Sequence, residues 1–183
     1  MQENVNPYEP PKSSLETNIA STSEAYFFTT STFKLVVMSI CTFGIYELYW
    51  FYKNWVLIKE RTGRNIMPFW RAFFAVLWAY SCIAHIKDSA KENNVRESLS
   101  PGLLAIVYFI LQALWRLPDP YWLISFFSFT VLIPANSVAL SINNNLISNF
   151  KNNETFSGWN WMGIVLGSLL FALSLAATFI QEV

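Results

Sequence analysis

The chain has 183 residues, of which 54% are hydrophobic, 17% are aromatic and only 13% are charged. This composition excludes an ordinary soluble domain of this size and predicts a protein that folds in lipid. Lys plus Arg and Asp plus Glu balance at 12 each, so no net basic or acidic field indicates nucleic acid or an anionic substrate as a partner. The predicted fold class is an all-α, polytopic helical membrane protein.

The N-terminal residues 1–32 are predicted to be a disordered polar tail. They contain a proline-rich stretch at residues 6–11 and then a run of Ser, Thr, Glu and Asn with few apolar residues. Such a composition cannot bury enough apolar surface to offset the entropy of ordering. No basic segment leads into an apolar core here, so we expect no cleavable signal peptide. The rest of the chain, residues 33–183, is predicted to be one helical transmembrane domain.

Five hydrophobic segments follow in this domain. They cover residues 33–52, 66–86, 101–117, 121–142 and 159–180. About 20 residues in a helix cross a hydrocarbon core about 30 Å thick. The last two segments carry no charged residue and have the strongest pattern of membrane spans. The first contains Gly44 and Glu47 and has two interpretations, a full span or a re-entrant segment, so the sequence predicts four or five transmembrane helices.

The orientation is predicted from the basic residues after the first segment. Five of the twelve basic residues lie between positions 53 and 71, against the single acid Glu60. The positive-inside rule places this stretch in the cytoplasm. Five spans put the N-terminal tail outside and distribute the basic residues evenly, whereas a re-entrant first segment puts the tail inside and concentrates them there. We expect five spans, with the re-entrant version as the alternative that the charge rule favours.

Aromatic residues are densest at the end of the first segment. Amphipathic rings settle at the headgroup level of a bilayer. The sequence therefore predicts an interfacial aromatic belt formed by Tyr46, Tyr49, Trp50, Tyr52 and Trp55.

Glu47 lies within this aromatic stretch. A carboxylate at membrane depth normally pairs with a cation, takes up a proton or faces water. A helical hairpin that turns near residues 61–64 would bring Arg71 within about one helical turn of Glu47. Glu47 and Arg71 are thus the candidate intramembrane ion pair. A solvated interfacial glutamate and a proton- or ion-handling group are the two alternatives.

The fifth segment carries small residues at a spacing of about four. Gly163 and Gly167 form a G-x-x-x-G pattern, which Ser168 and Ala172 extend. Small side chains allow helix backbones to approach closely in lipid. We expect this candidate helix-packing face to contact another helix of the same chain, with homodimerisation as the alternative.

The inventory of reactive residues argues against an enzyme. The only histidine is His85, and the chain lacks the H-E-x-x-H, P-loop and G-x-S-x-G patterns. Cys41 and Cys82 lie in apolar stretches, where cysteine is usually a small hydrophobic residue. We therefore predict no catalytic residues, no metal site and no cofactor.

Three runs of the chain resemble a known family. They are residues 38–55, residues 68–74 and residues 157–161, and the first contains Gly44-Ile45-Tyr46-Glu47-Leu48-Tyr49-Trp50. These runs are similar to those of small bacterial inner-membrane proteins, a domain-of-unknown-function family with the signature G-[IL]-Y-x-x-Y-W. The resemblance implies a multi-pass protein of the bacterial cytoplasmic (inner) membrane. It implies no activity and no functional residues.

The predicted function is that of a non-enzymatic integral membrane component that binds or supports other membrane proteins or lipid. Its expected partners are the lipid bilayer, other membrane proteins and a second copy through the fifth helix, but not nucleic acid. The alternative is a small transporter or channel subunit with a polar site around Glu47, Arg71 and Asn136, to which Gln112 also contributes. Pro134 precedes Asn136 in the fourth segment, so Asn136 and Ser137 are also expected to satisfy backbone groups that the proline frees or to bind across to another helix.

Overall fold

The computed structural model describes residues 25–180, and side chains up to Thr178. This part of the chain is helical and contains no strand, which confirms the all-α class. Its seven α-helices are α1 (Thr32–Cys41), α2 (Ile45–Thr62), α3 (Pro68–Phe73), α4 (Ala75–Glu92), α5 (Pro101–Ala113), α6 (Phe129–Leu146) and α7 (Gly158–Ile180). Two 3-10 stretches, Leu114–Arg116 and Tyr121–Ser128, connect α5 to α6.

The first predicted segment is not one continuous helix. Helix α1 ends at Cys41, and Phe43 and Gly44 then adopt positive φ angles of 52° and 79°, so the chain turns before α2 begins. Glycine adopts such a φ without steric cost, whereas a phenylalanine there is strained. With ten residues, α1 is about 15 Å long, half the thickness of a hydrocarbon core. One continuous spanning helix over residues 33–52 is therefore ruled out, and the re-entrant interpretation stays a prediction.

The second predicted segment is also divided. Pro68 opens the short helix α3, where its missing N–H costs no helical hydrogen bond. The helix breaks at Phe74, and α4 then continues to Glu92, beyond the predicted end at residue 86. The 3-10 stretch Tyr121–Ser128 and α6, by contrast, follow each other without a break.

Two helical stretches are long and apolar enough to cross a membrane, Tyr121–Leu146 and Gly158–Thr178. This criterion rests on length and composition, and it supports two of the predicted four or five spans. Only 11% of the apolar window in α7 is buried, against 39% of the window in the other stretch. Helix α7 therefore exposes most of its apolar surface, which indicates a nonpolar environment around it.

The helices pack around an extended segment, residues 25–31. Phe27 and Thr30 are completely buried, and Phe28 and Thr29 are nearly so. The predicted disordered tail therefore ends too late, because its last residues belong to the core. The rest of the predicted tail, residues 1–24, lies outside the described residues.

The extended segment and α1 run alongside α2 in the opposite direction. At one end of the molecule, the guanidinium of Arg61 donates to the carbonyl of Tyr26 at 2.5 Å. At the other end, the turn at Gly44 joins α1 to α2, and Glu47 contacts Ser128. We refer to these as the Arg61 end and the Glu47 end. The chain thus enters the bundle beside Arg61, turns at Gly44 and returns to Arg61.

Candidate functional site

Asparagine side chains of α6 hold the extended segment through its backbone. Asn143 accepts from the N–H of Phe27 at 2.9 Å and donates to its carbonyl at 2.7 Å. Asn136 makes the same pair of bonds to Thr30, at 3.1 and 2.7 Å. Seven residues separate the two asparagines, which places both on one face of the helix. Each amide thus replaces the backbone groups that a neighbouring strand would offer.

Helix α2 binds the segment from another side. Asn54 accepts from the N–H of Phe28 at 3.1 Å and donates to its carbonyl at 3.2 Å. The indole N–H of Trp50 also donates to Asn136, at 3.1 Å. A buried extended backbone must find partners for its N–H and C=O groups, and an amide supplies one acceptor and two donors. We call Asn54, Asn136 and Asn143 the asparagine ladder.

The sequence predicted only part of this arrangement. Asn136 was expected either to satisfy freed backbone groups or to bind across to another helix. It binds the backbone of Thr30, outside its own helix, and it accepts from Trp50 of α2. Asn54 and Asn143 were not singled out. The seven-residue spacing from Asn136 to Asn143 was the available signal, because two amides on one face of an apolar helix need a common polar partner.

The Arg61 guanidinium reinforces the start of the segment. It stacks on the rings of Tyr26 and Phe27, with its guanidinium carbon 3.8 and 4.5 Å from the two ring centroids. Lys34, in α1, donates from Nζ to the side chain of Asn153 at 2.8 Å and so ties α1 to the loop after α6.

Glu47 lies at the opposite end of the bundle and is only 1% exposed. The hydroxyl of Ser128 donates to its Oε1 at 2.8 Å, and the amide of Gln112 approaches Oε2 at 3.4 Å. Both partners are neutral. Among the described residues the single ion pair joins Lys87 to Glu97 at 3.8 Å, so Glu47 has no cationic partner there.

The predicted Glu47–Arg71 ion pair is wrong. Arg71 lies between two indole rings, 4.5 Å from the centroid of Trp55 and 4.2 Å from that of Trp78. Because the predicted second helix breaks at Phe74, Arg71 belongs to the short helix α3 and packs along the middle of α2. Cation–π contacts replace the expected carboxylate.

A cavity of about 380 Å³ opens beside Glu47. This volume falls in the range of about 300 to 1,000 Å³ typical of small-molecule sites. Its polar lining consists of the side chains of Ser39, Glu47, Gln112, Ser125 and Ser128. Its aromatic lining consists of Phe43, Trp115, Trp122 and Phe126. We call it the Glu47 cavity.

The Glu47 cavity has a buried hydroxyl without a hydrogen-bond partner, and one of its aromatic side chains is held by two other rings. The hydroxyl of Ser39 is buried and has no hydrogen-bond partner among residues 25–180. Phe126 packs edge-to-face on Phe43, with ring centroids 5.5 Å apart, and on Phe171 of α7, at 5.1 Å. A buried polar atom without a partner is costly, and it often marks a place where a ligand or water binds.

The predicted interfacial belt is divided between core and surface. Trp50 and Trp55 are completely buried and Tyr46 is 5% exposed, so these three rings form the core rather than a belt. Tyr49 and Tyr52 are about two-fifths exposed and still fit the prediction. Helix α2 has neighbours on most of its circumference, which the aromatic pattern alone does not reveal.

The small-residue face of α7 packs against α1. A side chain added at Gly167 would lie 1.5 Å from the carbonyl oxygen of Cys41, so only glycine fits there. At Gly163 the nearest atoms are farther away, 3.7 Å or more. The hydroxyl of Ser168 lies 3.4 Å from the Cys41 sulfur, and Ala172 is exposed. The helix packs within the chain at Gly167, whereas Ser168 and Ala172 remain exposed, so homodimerisation through that exposed part stays a prediction.

No group of three His, Cys, Asp or Glu residues in the described part of the chain could hold a metal ion. Comparisons with protein-family models, with curated proteins and with solved structures give no match. The resemblance to small bacterial inner-membrane proteins therefore stays a prediction from the sequence.

Proposed function

We propose that this protein is a non-enzymatic, multi-pass component of the bacterial cytoplasmic membrane that binds lipid in the Glu47 cavity. The observation that carries the proposal is the cavity itself, which combines a polar floor with an aromatic wall. Two stretches with the length and composition of membrane spans flank it, because Trp122, Phe126 and Ser128 belong to one and Phe171, behind the wall, belongs to the other. A lipid can therefore reach this cavity with its chains in the bilayer.

The outer surface supports a lipid environment. Side chains such as Leu77, Leu103 and Val165 are more than 60% exposed, and they belong to three different helices. A water-soluble monomer rarely exposes apolar surface this widely. Beyond the two stretches that meet the length criterion, we propose that the shorter apolar helices α1 and α5 also lie within the membrane.

The alternative function, a transporter or channel subunit, required Glu47, Arg71, Gln112 and Asn136 to share one polar site. Glu47 and Gln112 both line the Glu47 cavity, but Arg71 lies between two tryptophans and Asn136 belongs to the asparagine ladder. The geometry therefore favours binding over transport. The other expected role, support of membrane proteins, needs a free helix face, which α7 still offers opposite Gly167.

The path of the chain supports the re-entrant interpretation of the first segment, residues 33–52. Residue 26 lies beside Arg61, so the described chain begins at the same end of the bundle as the loop after α2. Single cysteines at Ala25 and at Thr62 should therefore react with a membrane-impermeant thiol reagent from the same side. The Asn94→Cys variant, at a third position near the Arg61 end, should react from that side as well. Labelling of positions 25 and 62 from opposite sides would contradict the proposed path.

Lipid binding is tested by filling the Glu47 cavity. The Ser125→Phe variant places a ring in the cavity, whereas Ser141→Phe places the same ring on an exposed position of α6. After purification in mild detergent, we expect the wild type and Ser141→Phe to retain about one lipid per chain by native mass spectrometry. Ser125→Phe should retain several-fold less. Equal retention by the two variants would refute binding in this cavity.

A further inference from the structure

We propose that the Glu47 cavity binds an ammonium group. This inference rests on the proposed binding function and names the chemistry of the ligand. The carboxylate of Glu47 receives hydrogen bonds only from neutral groups, and no lysine, arginine or histidine among the described residues pairs with it. A buried carboxylate is costly unless a cation or additional donors balance it. The cavity beside it is the space in which such a cation fits.

The wall of the cavity has the composition that recognises organic cations. Phe43, Trp115, Trp122 and Phe126 line it together with Glu47. The faces of aromatic rings attract ammonium groups within about 6 Å of the ring centroid, and tryptophan does so best. A metal ion would instead require several oxygen ligands around it. The pairing of one carboxylate with several rings therefore favours a primary or quaternary ammonium ligand.

Two sources can supply this ammonium group, a zwitterionic phospholipid headgroup or a free amine. A cation beside the lining residue Trp115 favours the phospholipid. The guanidinium carbon of Arg116 lies 5.5 Å from the centroid of the Trp115 ring, and the Arg116 side chain is exposed. This guanidinium would pair with the phosphate, while Glu47 pairs with the ammonium group of the same headgroup.

The lipid arm of the test uses the full chain reconstituted in an equimolar mixture of phosphatidylethanolamine and phosphatidylglycerol and then extracted in mild detergent. We expect native mass spectrometry to show several-fold enrichment of phosphatidylethanolamine on the wild type. The Glu47→Gln variant should lose about tenfold in this preference, as expected for one charged contact. Glu60→Gln, which removes an exposed carboxylate outside the cavity, is the matched control and should keep the preference.

The free-amine arm compares tetramethylammonium chloride with sodium chloride at equal ionic strength in detergent. A rise in the wild-type melting temperature with tetramethylammonium, absent in Glu47→Gln, supports the ammonium site with a soluble amine as ligand. If no lipid is retained but this stabilisation occurs, the lipid-binding function fails and the ammonium site stands. Retention of both lipids without preference, together with no effect of tetramethylammonium, would overturn the ammonium site alone.

A second variant keeps the proposal testable if Glu47→Gln does not fold. Trp122→Leu leaves the carboxylate in place but removes one ring of the cavity wall, and it should reduce the preference several-fold. Its control is Trp159→Leu, at a ring that is 78% exposed and lies outside the cavity. The same headgroup preference in Trp122→Leu and in the wild type would count against recognition by the aromatic wall and so against the proposal.

Discussion

The asparagine ladder and the Glu47 cavity both bury polar side chains, but they differ in how completely those groups are paired. In the ladder, three amides make six hydrogen bonds to the N–H and C=O groups of Phe27, Phe28 and Thr30. In the cavity, the Glu47 carboxylate has one short hydrogen bond, from Ser128, and the hydroxyl of Ser39 has none among the described residues. Both sets of groups are removed from water, so their burial alone does not distinguish them.

The difference separates a structural role from a binding role. A fully paired polar network adds specificity to a core and leaves no capacity for a ligand. An incompletely paired charge that adjoins a cavity retains that capacity, and the surrounding fold must offset its cost. The ladder is therefore the part of the molecule on which stability depends, whereas the cavity is the part on which binding depends.

The sharpest way to test this contrast is to break the ladder. Asn143→Leu leaves the N–H and C=O of Phe27 buried without partners, at about 1–3 kcal/mol each. We expect the free energy of unfolding to fall by about 2–4 kcal/mol, measured by thermal or denaturant unfolding in detergent. Asn144→Leu, at the adjacent exposed position, is the matched control and should change it by less than about 0.5 kcal/mol. Similar losses in both variants would show that the ladder has no special role.

A smaller effect is expected at Glu47 and Arg71, which the structure separates. Arg71→Gln removes contacts with two indole rings and should cost about 0.5–2 kcal/mol. Because the two side chains share no partner, its effect should add to that of Glu47→Gln within about 0.5 kcal/mol in a double-mutant cycle of unfolding free energies. A coupling energy above about 1 kcal/mol would instead support the Glu47–Arg71 ion pair that the sequence predicted.

Sequence patterns predicted the positions of the apolar segments well but their continuity poorly. The segment at residues 159–180 is a single helix within about a residue of its predicted bounds, because an uncharged apolar run has no competing local preference. The segment at residues 33–52 has a similar hydrophobic pattern, yet it divides at Phe43 and Gly44. Packing of the Phe43 ring against Phe126 and Phe171 offsets the strain of this turn, and a window of hydrophobicity does not report such packing.

The candidate site shows the same limit. Glu47 was recognised from the sequence as an unusual charge, because its cost at membrane depth depends only on its surroundings being apolar. Gln112 was expected with Glu47 only in the polar lining of a transport site, and Ser128, 81 residues away along the chain, was not expected. Arg71 was expected as the partner because a hairpin of two continuous helices would bring it close to Glu47. The break at Phe74 rules out that geometry.

By itself, the amino-acid sequence determined the helical class, the apolar surface and the costly charge at Glu47, because these follow from composition and from the local pattern of hydrophobicity. Only the tertiary structure decided that residues 25–31 lie in the core and that Glu47 adjoins a cavity rather than an arginine. Both outcomes depend on hydrogen-bond partners and rings from distant parts of the chain. The pairing of buried polar groups is a property of the folded arrangement, and no local pattern specifies it.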